Sequence, residues 1–281
     1  MEIVTLTCAA ALLALAPSTT LLSGDGAALT ADAACERLAH ADVIFVGEVH
    51  TDTVAHAVEA AILSGEIARA RDGGRPVALA LEMLEADVQP VVDEYLAGLI
   101  SEGDYLKAVR PWARYATDYH PIVGLARDTG TPVVATNAPE RHVRMVARDG
   151  IESLWRLPDT WRALYGWAIP PPSDAYAAQF AETMAGMHGG PMPSLDGMLA
   201  AQNLRDVTMA RRIAETFDAG RRVVHVNGSF HSAGGLGIPE HLARLRPEAR
   251  MVTVTVRPDG LGAEAEMSAD DITVLTPQVA P

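Results

Sequence analysis

Short runs of β-branched and apolar residues recur along the chain: DVIFV (42–46), PVALALE (76–82), PVVATN (132–137), RVVHVN (222–227) and MVTVTV (251–256). Between them, small and apolar residues repeat at three- and four-residue spacing, as on one face of a helix. Strand-like runs separated by amphipathic segments predict βα units. The expected fold class is therefore α/β, a mainly parallel sheet flanked by helices and buried on both faces. A helix is predicted from Val54 onward, with Asp52 or Thr53 at its cap. QPVVDEYLAGLI (89–100) places a proline in a first turn, and PERHVRMVARDG (139–150) closes on a glycine. From Ile151 to about Asp218 the strand signal disappears. This stretch holds every tryptophan but Trp112, an IPPPS break at 169–173 and a long helical pattern from Leu195 to Phe217. It reads as a helical insertion, about 151–218, capping the C-terminal edge of the strands. No internal repeat or low-complexity segment is present.

Polar residues collect where the strands end. The first run leads to Glu48 and His50, the second ends at Glu82, the third at Asn137, and the fourth at Asn227 just before His231. Ligands of open parallel sheets bind beyond the carboxyl ends of the strands, where the loops diverge. Two G-x-x-H segments, Gly47 to His50 and Gly228 to His231, each put an imidazole just after a strand, with the glycine expected to ease the turn. One such histidine alone reads equally well as a helix cap or a satisfied core residue. Four ionisable groups at strand ends read as a site.

The chemistry open to that set is limited. Glu48, His50, Glu82 and His231 are candidate ligands of a divalent metal with a position left for water, or a metal-free set in which Glu48 or Glu82 is a general base partnered by a histidine. G-x-S-x-G, H-E-x-x-H, G-x-x-x-x-G-K and G-x-G-x-x-G are absent, which argues against the commonest serine-hydrolase, zinc-protease, P-loop and dinucleotide readings. A second group lies in MAGMHGGPMPS (184–194). Met184, Met187, His188 and Met192 among glycines and prolines suit a lid or an adaptable apolar pocket with His188 facing a ligand, or, for Met184 and Met187, the packed end of a helix. Arg141 and Arg144 follow Asn137, and Arg110 and Arg114 flank Trp112. They are candidates to pair with ligand carboxylates or, alternatively, with acids on their own helices.

Composition narrows the picture further. The formal charge of −14, from 36 acidic against 22 basic side chains of which only Lys107 is lysine, excludes a nucleic-acid groove. Two cysteines, Cys8 and Cys35, exclude a disulfide framework and a four-cysteine zinc site. Residues 3–16, IVTLTCAAALLALA, form an apolar run too short to span a bilayer comfortably. It resembles the core of an export signal, although Glu2 stands where a basic flank is expected. Residues 1–30 are therefore read as export signal and linker, and 31–281 as one α/β domain. The protein is expected to be exported, periplasmic or membrane-anchored, with TLTC a poor match to a lipid-anchor site.

VIFVGEVHTDTVAH, LALEMLEADVQPVVDEYLAGLISEGDYL, ATNAPERHVRMVARDG, MHGGPMPSLDGMLAAQNLRDVTMARRI and HVNGSFHSAGGLGIPEHLARL, in that order, resemble the ChaN-type haem-binding uptake proteins of the Tiki/TraB and erythromycin-esterase-like superfamily. The resemblance runs from about Cys35 to Val256. It implies an α/β domain that binds haem within an iron or haem uptake or handling system. It further implies peripheral membrane association and haem shared cofacially in a homodimer. Family resemblance points to a tyrosine-type haem contact, for which Tyr115, Tyr119 and Tyr176 are candidates. The expected cofactor-binding set is His188, Met187, Arg141, Arg144, Asn137 and Tyr119. In the wider superfamily the G-E-x-H turn, the strand-end glutamate and the late G-x-x-H histidine are catalytic or metal-binding. Here these are Glu48, His50, Glu82 and His231, so a metal-dependent hydrolase of esterase or protease type is the alternative to haem. Glu140 departs from the basic or neutral residue expected of relatives and weakens anion binding at that helix start.

Overall fold

All five predicted strands form, each close to its expected limits, in a computed structural model that describes Leu12 and residues 19–166, 168–185, 194–261 and 267–277. In chain order the strands are β1 (Thr20–Ser23), β2 (Val43–Glu48), β3 (Val77–Glu85), β4 (Val133–Asn137), β5 (Arg222–Gly228), β6 (Met251–Pro258) and β7 (Ile272–Thr276). They make one sheet of order β1-β7-β6-β2-β5-β3-β4, parallel throughout except where β1 pairs antiparallel with β7. β1 and β7, absent from the sequence reading, extend the β6 edge. Both are short, and β1 lies among small and polar residues that give no periodic signal.

Eleven helices among the described residues cover the sheet: α1 (Ala31–His40), α2 (Thr53–Arg71), α3 (Gln89–Leu96), α4 (Glu102–Ala108), α5 (Tyr115–Asp118), α6 (His120–Thr129), α7 (Glu140–Asp149), α8 (Asp159–Tyr165), α9 (Asp174–Ala185), α10 (Leu195–Asp218) and α11 (Ile238–Leu245). The alternation inside β2 shows why its strand reads as a continuous apolar run. Ile44 and Val46 face a core shared with α1, α2 and α6, while Val43 and Phe45 face a second core built by Met209, Ala210 and Ile213 of α10 and by Ile238 and Leu242 of α11. Asp52 caps α2 as expected, its Oδ1 accepting from the amide of Val54 at 2.9 Å while Oδ2 accepts from the Thr276 hydroxyl of β7. Cys35 of α1 is buried and disulfide-bonded; with two cysteines in the chain, a disulfide framework stays excluded.

The helical stretch from 151 does more than cap. The first half of α10 reaches the strand ends, and its second half lies on the sheet as the crossover from β4 to β5. A close approach permits this: a Cβ on Gly197 would stand 2.2 Å from the carbonyl oxygen of Ala147 on α7.

The topology fixes where a ligand can bind. The chain leaves β2 towards β3 and leaves β5 towards β6, in opposite directions from neighbouring strands, so the loops part above β2 and β5. No helix among the described residues is long and apolar enough to cross a membrane.

Candidate functional site

β2 and β5 are paired in register, with Gly47 beside Asn227 and Glu48 beside Gly228. The two G-x-x-H turns therefore leave the sheet side by side. Their glycines serve close approach rather than a left-handed turn, since Gly228 has φ −59. A Cβ at Gly47 would meet Ser229 Cα and Ser232 Oγ at 3.0 Å, and a Cβ at Gly228 would meet His50 Nε2 at 2.9 Å. Each glycine makes room for the other motif. Glu82 joins them through an irregularity in β3: the ladder to β4 is regular up to Leu81 opposite Ala135 and resumes only at Glu85 opposite Asn137. Such a bulge frees a side chain from the pleat. Glu82 Oε2 accepts the Gly228 amide at 2.7 Å.

Two relays of imidazole, carboxylate and phenol result. In the first, His50 Nδ1 lies 2.9 Å from Glu48 Oε1, which also accepts from the Tyr119 hydroxyl at 2.6 Å. In the second, His231 Nδ1 donates to Asp206 Oδ1 at 2.5 Å, and the Tyr176 hydroxyl donates to Asp206 Oδ2 at 2.5 Å. Glu82 stands between them, its Oε1 3.4 Å from His231 Nε2. Thus all four strand-end residues read from the sequence come together.

Their protonation follows from these contacts. Burial pushes the Glu82 carboxyl up, but the His231 charge, its hydrogen bond and the His50 charge outweigh burial and hold it at about 2. Burial likewise opposes charging of His231, yet the Glu82 and Asp206 carboxylates lift it to about 10. Glu48 is held at about 2 despite burial by contacts from His50, His56 and Tyr119. His50 is raised, burial being outweighed by the Glu48 contact and the Glu82 charge. Burial and the Asp206 carboxylate keep the Tyr176 phenol protonated.

A cleft of about 530 Å³ opens above these groups, lined by His50, Glu82, Met83, Glu85, Arg110, Trp112, Asn137, Glu140, Gln202, Arg205 and His231. Its walls contain donors on both sides. Trp112 meets the His50 ring edge-on at 5.0 Å between centroids. Arg110, the one non-glycine residue with positive φ among those described (54°), is held through Nη2 by Glu85 at 2.6 Å and by Asp87. Arg205 donates to Asn137 Oδ1 at 3.1 Å and to Glu140.

The remaining expected site residues fall in different places. Asn137 lines the cleft. Arg141 instead pairs with Asp87, outside its own helix, and stacks over Trp161, and the exposed Arg144 pairs with Glu140 one turn before it. Glu140 is no obstacle to a basic rim, because it helps hold Arg205 there. Tyr119 sits behind Glu48, and Tyr115 and Tyr176 are equally buried. Met187 and His188 lie outside the described residues.

Asp206, Gln202 and Arg205 were not anticipated, and Tyr176, named as a candidate haem contact, instead donates to Asp206. Asp206 is fully buried on a helix face shared with Met209, Ala210 and Ile213. A charged residue on the apolar stripe of α10 was the signal that could have found it.

The comparisons with known proteins agree with this architecture. ChaN of Campylobacter jejuni, solved with cofacial haem, superposes with a TM-score of 0.72 over 93% of this chain and 98% of that one, at 17% identity. An erythromycin esterase EreC mutant, H289N in its open conformation, gives a TM-score of 0.51 over 92% of this chain and 83% of that one, at 13% identity. In sequence the chain is 25% identical over 246 residues, 80% of its length, to the chloroplastic protein RETICULATA-RELATED 5 of Arabidopsis thaliana, and it spans about a third (32%) of that protein. Residues 34–242 match the family described as haem-binding uptake, Tiki superfamily, ChaN, and the chain belongs to that family.

Proposed function

We propose that the chain binds haem in the cleft above β2 and β5, with His50 Nε2 as an axial ligand, as part of a haem uptake or handling system. The observation that carries this reading is the geometry of His50. Its side chain is 42% exposed at the cleft, and its Nδ1 is backed by an ionised, buried carboxylate. A carboxylate on the far nitrogen fixes the ring and raises the basicity of the ligating nitrogen. Trp112 and Met83 offer apolar contact to a macrocycle, and Arg110 and Arg205 at the rim offer donors to its propionates. Haem, when bound, supplies the iron chemistry; the protein positions it and sets the electron donation of its ligand. Nε2 must give up its proton to ligate iron, so binding strengthens as pH rises through the His50 pKa.

Titration of the purified protein with haemin, followed by Soret absorbance, tests this. Saturable binding is expected, weakened at least about tenfold in His50→Gln and in Gly228→Ala, whose new methyl displaces the imidazole. An unchanged Soret spectrum on addition of protein, or full affinity in both variants, overturns it.

The pairing of Glu82 with the Asp206-backed His231 favours one second reading, hydrolysis of an ester or amide at the same cleft, with Glu82 and the two histidines moving protons. Any ester-cleaving activity of the purified protein should fall at least about a hundredfold in His231→Gln. Activity indifferent to His231 and Glu82 rules that reading out.

A further inference from the structure

Beneath the cleft, on the core side of Glu48, lies a second group of which the haem reading uses only Glu48 itself. Glu48 ends β2, while His56 and Glu59 lie three residues apart on the first turns of α2 and so share a face. One ligand atom from each falls within 4.8 Å of the other two, and His56 Nε2 stands 3.0 Å from Glu48 Oε2. Metal–nitrogen and metal–oxygen bonds of about 2.1 Å place neighbouring ligands roughly 3.0–3.4 Å apart, so this pair already has the spacing of two ligands on one ion.

The protein supplies partners to Glu48 but none to Glu59. Glu59 is fully buried, and no donor reaches either of its oxygens, while Glu48 Oε2 has only His56 Nε2 beside it. Neighbouring acids add no cation of their own: Asp52 is committed to capping α2 and to Thr276, and Asp118 to Arg114. A buried carboxylate with two unused oxygens beside a second, ionised carboxylate is costly unless something positive joins them. A shared proton satisfies one of them. A divalent ion would satisfy both and use the imidazole as well.

We propose that Glu48, His56 and Glu59 form a divalent-cation site inside the protein, distinct from the cleft. Two carboxylate oxygens and one imidazole nitrogen suit a first-row ion such as Mn²⁺ or Zn²⁺, with water completing the shell. His56 and Glu59 stand at i and i+3, the reverse order of the Glu-x-x-His pairs by which helical bundles hold such ions, and Glu48 faces them from a strand. The ion neutralises the pair, and the His56 edge, 10% exposed, is the side from which it arrives.

The test is metal analysis of the haem-free full-length protein after equilibration with MnCl₂ or ZnCl₂ and desalting. About one equivalent should be retained in the wild type and in His231→Gln, which disarms the cleft, and should fall at least about tenfold in Glu59→Gln. Glu59→Gln has the shape of a protonated glutamic acid, so metal retention in a folded Glu59→Gln protein, or no retained metal in the wild type, means the group is held by a proton and overturns the proposal. Loss of metal in His231→Gln with retention in Glu59→Gln places the ion in the cleft and also overturns it. Should Glu59→Gln fail to fold, anomalous diffraction from Mn²⁺-soaked wild-type crystals decides the matter. A peak among the three side chains supports the site, and its absence there refutes it. Haem titration is read separately, so failure of one proposal leaves the other standing.

Discussion

At the level of single residues, His231 ties its charge to two carboxylates. Its pKa in the folded protein, about 10, lies above the ordinary 6.5, so its stabilising contribution is complete below about pH 6.5 and disappears as pH rises through 10. Glu82, held at about 2 against an ordinary 4.5, contributes above about pH 4.5 and loses that contribution as pH falls through 2. The two shifts describe one contact from both ends, so they are not independent gains. Urea unfolding midpoints should therefore decline between pH 7 and 10. In Glu82→Gln, where only Asp206 still supports the imidazolium, the decline should start from the same pH but end at a lower one and be smaller. A flat profile over that range in the wild type would show that His231 is neutral. Which groups would meet was legible in part: Glu48, His50, Glu82 and His231 stand at strand ends in the sequence, whereas Asp206 and Tyr176 belong to helices far away in the chain, and nothing local marks them as partners of His231.

Among the elements, α10 couples sheet to site. Its first half carries Gln202 and Arg205 to the cleft and Asp206 to His231 behind it, and its later turns bury Met209, Ala210 and Ile213 against the sheet. The helix was legible from its period, but its position was not. The contact that seats it depends on a missing side chain, Gly197, against the Ala147 carbonyl. Gly197→Ala sets a methyl against backbone that has no rotamer to yield, and should destabilise the protein by about 2 kcal/mol despite the better helix propensity of alanine. Thermal unfolding checks this; an unchanged or raised midpoint would mean that α10 can shift without loss. The bulge in β3 was invisible for a similar reason. PVALALE reads as an unbroken strand, and only pairing with both neighbours reveals that Glu82 lies beyond the regular ladder.

For the molecule as a whole, the sequence carried the fold class because five β-branched runs must be buried on both faces, and α10 and α11 on one side with α1 and α2 on the other do bury them. It did not carry the outer strands β1 and β7, of which β7 pairs along the end of β6 and β1 along β7 rather than by any local pattern. The cleft and the core also meet at Glu48. One of its oxygens serves the imidazole at the cleft, and the other turns toward His56 in the core. Whatever charge sits on the core side draws electron density away from the cleft side, so the two ends of this carboxylate are thermodynamically linked. An occupant of one must alter the affinity for an occupant of the other by the same factor in both directions. The donor strength of an exposed imidazole is thereby set from a place that no cleft ligand touches.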